Sequence, residues 1–307
     1  MTTTPPDVPA PLDTVVKPGV FKRLLQQEDL NFLLTNRVPR ALLTRFMGWF
    51  SKLDNCVIRY LSISTWKFFS AVDLSDAAKT HFDSLHDAFI RSLKPGARTI
   101  TLDPNILVSP CDGIIGAHGL IENTQVFQAK GFPYSLRDLL PNDSLSKEFA
   151  SGSYVTIRIT AGMYHRFHAP LDCYITKVTY ISGDTWNVNP IALKRVEKLF
   201  CKNERAVIES SFIAPESQTQ HRFLMVPVAA VLVASIRLHF IDVLLNLHYK
   251  GANVLSCDAN YHKGEELGWF EHGSTIILIC PLGFHLVDNI TEGQPIRMGE
   301  PLMSVSG

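Results

Sequence analysis

Ser274 follows Gly273 at the head of an apolar run, Ile276-Ile277-Leu278-Ile279-Cys280, close to the C-terminus. Two other segments can complement its hydroxyl: Ser109-Pro110-Cys111-Asp112-Gly113 and Tyr164-His165-Arg166-Phe167-His168. Together they supply an aspartate, a histidine and a serine. In hydroxyl activation an imidazole takes the proton and a carboxylate holds the ring in the right tautomer.

Each segment also has a plain structural explanation. Asp112-Gly113 is an ordinary turn dipeptide, and Gly273-Ser274 reads as a glycine turn leading into a strand. His165 and His168 would share a face in a helix and point oppositely in a strand, and histidine is often partly buried for packing alone. They do not form an H-E-x-x-H pair and no third ligand has suitable spacing, so no metal site is expected. The functional reading rests on the joint occurrence of the three segments.

The elements that must position them change character along the chain. Residues 1–19 carry Pro5, Pro6, Pro9, Pro11 and Pro18 and read as a flexible tail. Residues 20–95 read as helical. Leu42, Phe46, Trp49, Phe50 and Leu53 fall on one helical face, and Arg37, Arg40, Arg45, Lys52, Arg59 and Lys67 face a single acid, Asp54. Basic charge with Trp and Phe on an amphipathic helix suits an anionic membrane surface; a helix packed on its own domain has the same pattern. From about residue 96 the period becomes two. Val155–Thr160 and Ile175–Ile181 alternate, and Phe223–Leu238 and Thr275–Cys280 are apolar enough for buried strands. The expected fold class is α+β: a helical N-terminal membrane-associating region, then a β-rich, mostly antiparallel core over 96–307.

Composition bounds the function. In 307 residues, 46% are apolar and only 19% charged, below the usual quarter, which points to surface buried in a partner or against lipid. The net charge is zero, so nothing argues for nucleic acid. The six cysteines form no C-x-x-C pair, which fits a reducing compartment. No charged-then-apolar leader pattern is read at the start, and the apolar stretch from Phe223 stops at Arg237, too short to span a bilayer as a helix.

The three segments, in this order, resemble the signature blocks of phosphatidylserine decarboxylase proenzymes of the bacterial type. Gln128-Ala129-Lys130-Gly131, Gly183-Asp184 with Val188-Asn189, Asn203-Glu204-Arg205 and the terminal Gly293-Gln294-Pro295 and Gly299-Glu300-Pro301-Leu302 turns extend the resemblance from about residue 35 to the end. Local departures are His272, where many members have leucine, Cys111 in place of a common alanine, and Ala229 and Ala234 in a strand often richer in glycine.

The resemblance implies a mechanism. Ser274 would be converted into a covalent pyruvoyl group by autocatalytic serinolysis, with Asp112, His168 and Ser274 as the self-cleavage triad and Gly273/Ser274 as the cleavage site. A long beta chain, 1–273, and a short alpha chain, 274–307, would stay associated. The pyruvoyl group would act as electron sink, through a Schiff base, in turning phosphatidylserine into phosphatidylethanolamine and CO2. His165 would be the acid/base of decarboxylation. The same resemblance implies a homodimer and a peripheral position on the cytoplasmic side of the cell membrane. Two alternatives stay open: a pyruvoyl-dependent decarboxylase of a soluble amino acid, and a non-catalytic membrane-binding homologue. A serine hydrolase is disfavoured because no G-x-S-x-G elbow surrounds Ser274.

Overall fold

The computed structural model describes residues 39–70, 72–129, 132–214, 218–231, 235–246, 249–271 and 274–305, together with Asp29 and Phe32. The expected tail over 1–19, Arg37, His272 and Gly273 lie outside these residues.

Three helices open the described chain: α1 (Arg40–Phe50), α2 (Cys56–Ser70) and α3 (Leu85–Phe89). Asn55 Oδ1 accepts the Val57 N–H at 3.0 Å to start α2, and Ser84 Oγ accepts the Asp87 N–H at 3.1 Å to start α3, each satisfying an otherwise orphaned donor. Only α3 is tucked in. Leu42, Phe46 and Trp49 of α1 are at least half exposed, as are Tyr60, Phe68 and Phe69 of α2, and α2 buries no residue at all. Among the described residues, the helical expectation for 20–95 holds for Asp29 and Phe32 and for these stretches. Between them the chain runs as turns, tied by an isolated bridge between Ala77 and Leu93. No described helix is long and apolar enough to cross a membrane.

The rest is strand-rich. In chain order come β1 (Ile106–Val108), β2 (Gly113–Leu120), the hairpin β3 (Gln125–Ala129) and β4 (Phe132–Ser135), then the short helices α4 (Leu136–Leu139) and α5 (Asp143–Glu148). Next are β5 (Ser153–Ile159), β6 (Arg166–His168), β7 (Cys173–Ile181), α6 (Pro190–Leu193) and α7 (Leu199–Lys202). The remainder comprises β8 (Arg205–Ile213), β9 (Gln220–Ala229), β10 (Ser235–Leu238), β11 (Leu244–Asn246), β12 (Val254–Tyr261), β13 (Glu266–Phe270), β14 (Ser274–Cys280), β15 (Phe284–Leu286), β16 (Pro295–Ile296) and β17 (Pro301–Val305).

An eight-stranded antiparallel sheet runs β12-β7-β8-β9-β14-β5-β2-β16, and a four-stranded one runs β11-β10-β13-β6. One apolar cluster fills the space between these two sheets, with Ile157, Met225, Ile276 and Leu278 from the first and Phe167, Ile236 and Phe270 from the second. A second cluster covers the other face of the large sheet, where Val226, Ile277 and Ile279 meet Leu139, Leu199 and Phe200 of the short helices. Phe223–Leu238 is therefore not one strand. It divides into β9 and β10, in different sheets, so one apolar run serves both layers.

β14 is central, paired along its length to β5 and β9 with all seven residues buried. A strand covered on both faces reads as a continuous apolar run rather than an alternation, which is the pattern of Ile276–Cys280.

Candidate active site

Ser274 is the first residue of β14, opposite Ile159 of β5 on one side and Ala229 of β9 on the other. It is fully buried, and its Oγ has no hydrogen-bond partner among the described residues. A buried hydroxyl left unpaired costs free energy, so such groups call for a reason. Gly273 lies outside the described residues, but Glu271 just before it is anchored. Ser235 Oγ donates to Glu271 Oε2 at 2.9 Å, and Lys52 at the end of α1 stands 3.6 Å from the same oxygen.

His165 lies on the short connection from β5 into β6, and His168 is the last residue of β6. Both are buried, and they have different surroundings. His165 Nδ1 is 2.9 Å from the Met163 carbonyl, an acceptor only, so that nitrogen carries the proton. Its ring centroid lies 3.9 Å from that of Phe89 in α3. His168 Nδ1 likewise donates to the Gly264 carbonyl at 2.8 Å, which leaves Nε2 to accept from the Tyr164 hydroxyl at 3.0 Å. Burial holds the His168 ring below its usual pKa, keeping it neutral and fit to accept a proton. Burial also pushes the Tyr164 hydroxyl up, so it remains a donor.

The expected Asp112–His168 hydrogen bond is not formed. Arg98 takes Asp112 instead, with Nε 2.9 Å from Oδ1, and the Met298 backbone N–H donates to the same oxygen at 2.9 Å. Arg98 also reaches Asp76, and its guanidinium is held well above its usual pKa by Asp112. The reason is charge. A partly buried carboxylate gains more from a bidentate guanidinium than from a neutral imidazole that already has a carbonyl partner. The negative charge of Asp112 is still felt at His168, where it opposes the effect of burial. His168 is tied to the same segment two residues earlier, where its N–H donates to Pro110 O at 2.8 Å.

Gly113 is not in a turn. It opens β2, and a Cβ there would meet Ile157 Cγ2 at 2.3 Å, so close strand packing demands the glycine.

Sequence reasoning missed Tyr164 and Arg98 as partners. Tyr164 was in view inside the histidine segment; Arg98 carried no local signal. A cavity of about 210 Å³ opens beside the Ser274 end of the sheet, with Ile159, Ala230 and Phe89 among its walls. Phe89 also lines an apolar groove of about 590 Å³ with Met47, Phe50, Leu61, Trp66 and Phe69 of α1 and α2.

A strand-rich sandwich with a serine hydroxyl buried at the head of its central strand, and two buried histidines at β6, is the core of an enzyme. Residues 85–304 match the family model described as phosphatidylserine decarboxylase. The chain belongs to the phosphatidylserine decarboxylase family. It is 33% identical over 291 residues to the phosphatidylserine decarboxylase proenzyme of Saccharophagus degradans, covering 89% of this chain and 96% of that one. Over 274 residues it is 34% identical to the proenzyme of Haemophilus influenzae, covering 86% and 92%. Over 298 residues it is 32% identical to that of Aliivibrio salmonicida, covering 91% and 99%.

Proposed function

We propose that this chain is a proenzyme that cuts itself before Ser274 and then decarboxylates phosphatidylserine to phosphatidylethanolamine and CO2. Family membership supports the reaction, and the buried, unpartnered Ser274 hydroxyl carries the assignment of the site. Ser274 Oγ attacks the Gly273 carbonyl, its proton passes to His168, and the peptide C–N bond breaks to leave an ester. Elimination across Cα–Cβ of Ser274 frees the Gly273 carboxylate. Water then displaces ammonia from the resulting imine.

Residues of the chain divide the work. His168 is the base, and its Nε2 must exchange the Tyr164 hydroxyl for the Ser274 proton or receive that proton through it. Asp112 favours the imidazolium by its charge rather than by a direct bond. The residues around Ser274 fit a small planar group: the position is dry, and Ala229 beside it is small. A pyruvoyl group there supplies an electrophilic carbonyl that draws electrons from the substrate Cα as CO2 leaves. His165, fixed by Met163 O and Phe89, returns the proton to Cα.

Phe89 supports a lipid substrate over a soluble amino acid. It belongs both to the apolar groove under α1 and α2 and to the cavity beside Ser274, so acyl chains in the groove place a headgroup at the serine. The exposed aromatic residues of α1 and α2 insert among lipids, and Arg45 and Lys67 meet anionic headgroups on the cytoplasmic face of the cell membrane. The short chain stays in place through the two ladders of β14, and the processed molecule pairs as a homodimer.

Intact-mass spectrometry beside a Ser274→Ala control tests the reading, followed by CO2 release from phosphatidylserine in mixed micelles. Two chains split before Ser274, a pyruvoyl mass on the shorter and an uncut control are expected. A single intact chain in both, or a cleaved protein inert on the lipid, overturns it.

A further inference from the structure

Arg158 sits in β5 one residue before Ile159 and directly opposite Thr275 of β14. Paired residues of an antiparallel ladder point to the same face, so Arg158 and Thr275 share the face opposite to that of Ser274 and Ile159. Neither side chain has a partner among the described residues. The Arg158 guanidinium makes no hydrogen bond or ion pair with the described residues, and burial alone lowers its pKa, with no acid opposing it. Thr275 is fully buried and its Oγ1 has no hydrogen-bond partner among the described residues. A partly buried cation without a counter-charge is costly and rare. Arg158 also lines the cavity beside the Ser274 end of the sheet, together with Thr160, Asn187 and Asn189 on its polar side and Phe89 and Val231 on its apolar side.

We propose that Arg158 binds the phosphodiester of the lipid headgroup in this cavity and so fixes how far the serine amine stands from residue 274. The inference rests on the reading of the chain as a phosphatidylserine decarboxylase and deepens it. Ser274 and Thr275 are consecutive, and Ile159 and Arg158 are their partners, so the reacting group and the guanidinium sit on adjacent rungs but on opposite faces. They can meet one ligand because the cavity lies at the end of β5, where both Arg158 and Ile159 are among its walls. Guanidinium matches two phosphate oxygens at once, while an ammonium acts as a point charge, so the contact is directional as well as attractive. The apolar wall from Phe89 continues into the groove under α1 and α2, on the side where the glycerol and acyl portions must leave.

The headgroup offers two anions, the phosphodiester and the serine carboxylate, and the product keeps only the first. This separates them. Steady-state constants for Arg158→Gln and Arg158→Lys are measured on phosphatidylserine in neutral-detergent micelles, normalised to pyruvoyl content by mass spectrometry. Inhibition by phosphatidylethanolamine is measured alongside. Arg137→Gln, at an exposed arginine remote in sequence from the site, controls for the loss of one surface charge. Loss of a charged hydrogen bond raises KM about 10- to 100-fold in Arg158→Gln, and the phosphatidylethanolamine inhibition constant should rise by a similar factor. Arg158→Lys should recover part of both, and Arg137→Gln should match the parent. Unaltered constants in Arg158→Gln overturn the site. A raised KM with unchanged product inhibition also overturns it, because the group held is then the carboxylate. If the parent releases no CO2 from phosphatidylserine, the functional reading fails first and the site with it.

Discussion

Arg98 and Asp112 form a two-pronged ion pair, with Arg98 Nε 2.9 Å from Asp112 Oδ1 and both side chains largely buried. Asp112 is thereby held as a fixed negative charge near His168 without touching it. Removing the cation leaves a buried carboxylate with the Met298 N–H as its remaining partner. Arg98→Met should destabilise the fold by about 3 kcal/mol and slow self-cleavage at least tenfold. Urea unfolding and the ratio of cut to uncut chain on a denaturing gel check the two effects. An Arg98 variant that cuts at the parental rate would mean that the placement of Asp112 is irrelevant to processing.

Burial lowers the native pKa of His168, and of His86 and His118, from the ordinary 6.5. The native state then holds fewer protons than the unfolded one below about pH 6.5. Stability is fully present above that pH and is lost as pH falls through it toward the native pKa values. In the Ser274→Ala background, urea midpoints should therefore fall between pH 7 and pH 5. His168→Asn should make that slope shallower, whatever it does to stability at pH 8.

Glu204 has the opposite sign. Its side chain is fully buried, and neither carboxyl oxygen has a hydrogen-bond partner among the described residues; the nearby Tyr180 hydroxyl donates to Asn246 O and only partly opposes the effect of burial on the carboxyl. Burial pushes its pKa up to about 8 from 4.5. The unfolded chain ionises first, so this group costs stability progressively from pH 4.5 to pH 8. Glu204→Gln should be stabilised relative to the parent in that window, by up to about 4 kcal/mol above pH 8, and show no such gain at pH 4. A pH-independent difference between the two proteins would mean that Glu204 is ionised in the folded state.

Phe46 and Trp49 lie in ring contact on α1, with centroids 5.9 Å apart, and both are at least half exposed. Each would bury apolar area worth about 1.5–3 kcal/mol on entering lipid. The double substitution Phe46→Ser/Trp49→Ser should weaken sedimentation with anionic vesicles at least tenfold while self-cleavage proceeds. Undiminished sedimentation would remove α1 from the membrane contact.

Ile277 lies in the middle of β14, packed against the short-helix layer. Ile277→Ala should cost about 2–5 kcal/mol by leaving a cavity. In the cleaved protein the short chain should then part from the long one at a lower urea concentration than in the parent. Size-exclusion chromatography in graded urea measures this directly.

How much of this was legible beforehand depended on how local each feature is. The unbroken apolar run Ile276–Cys280 announced a strand covered on both faces, and β14 is one. The alternation in Ile175–Ile181 announced β7. Phe223–Leu238 misled because an apolar run carries no mark of where it changes sheets. Asp112-Gly113 offered a turn, yet the glycine is there for Ile157, a neighbour created only by pairing β2 with β5.

The sequence by itself determined which chemical groups are present, their order, and the periodicities that turn each stretch into helix or strand, because those follow from neighbours three or four residues away at most. Tertiary structure decided who holds whom. His168 finds its proton acceptor 96 residues on at Gly264, and Asp112 finds a backbone donor 186 residues on at Met298. Glu204 loses water to a core assembled from distant strands, and Arg158 is left beside a cavity without an acid. Burial and partnership depend on ladder register and sheet stacking, which are properties of the whole packed chain, so the pKa values and unpaired groups that give the site its chemistry appear only once it has folded.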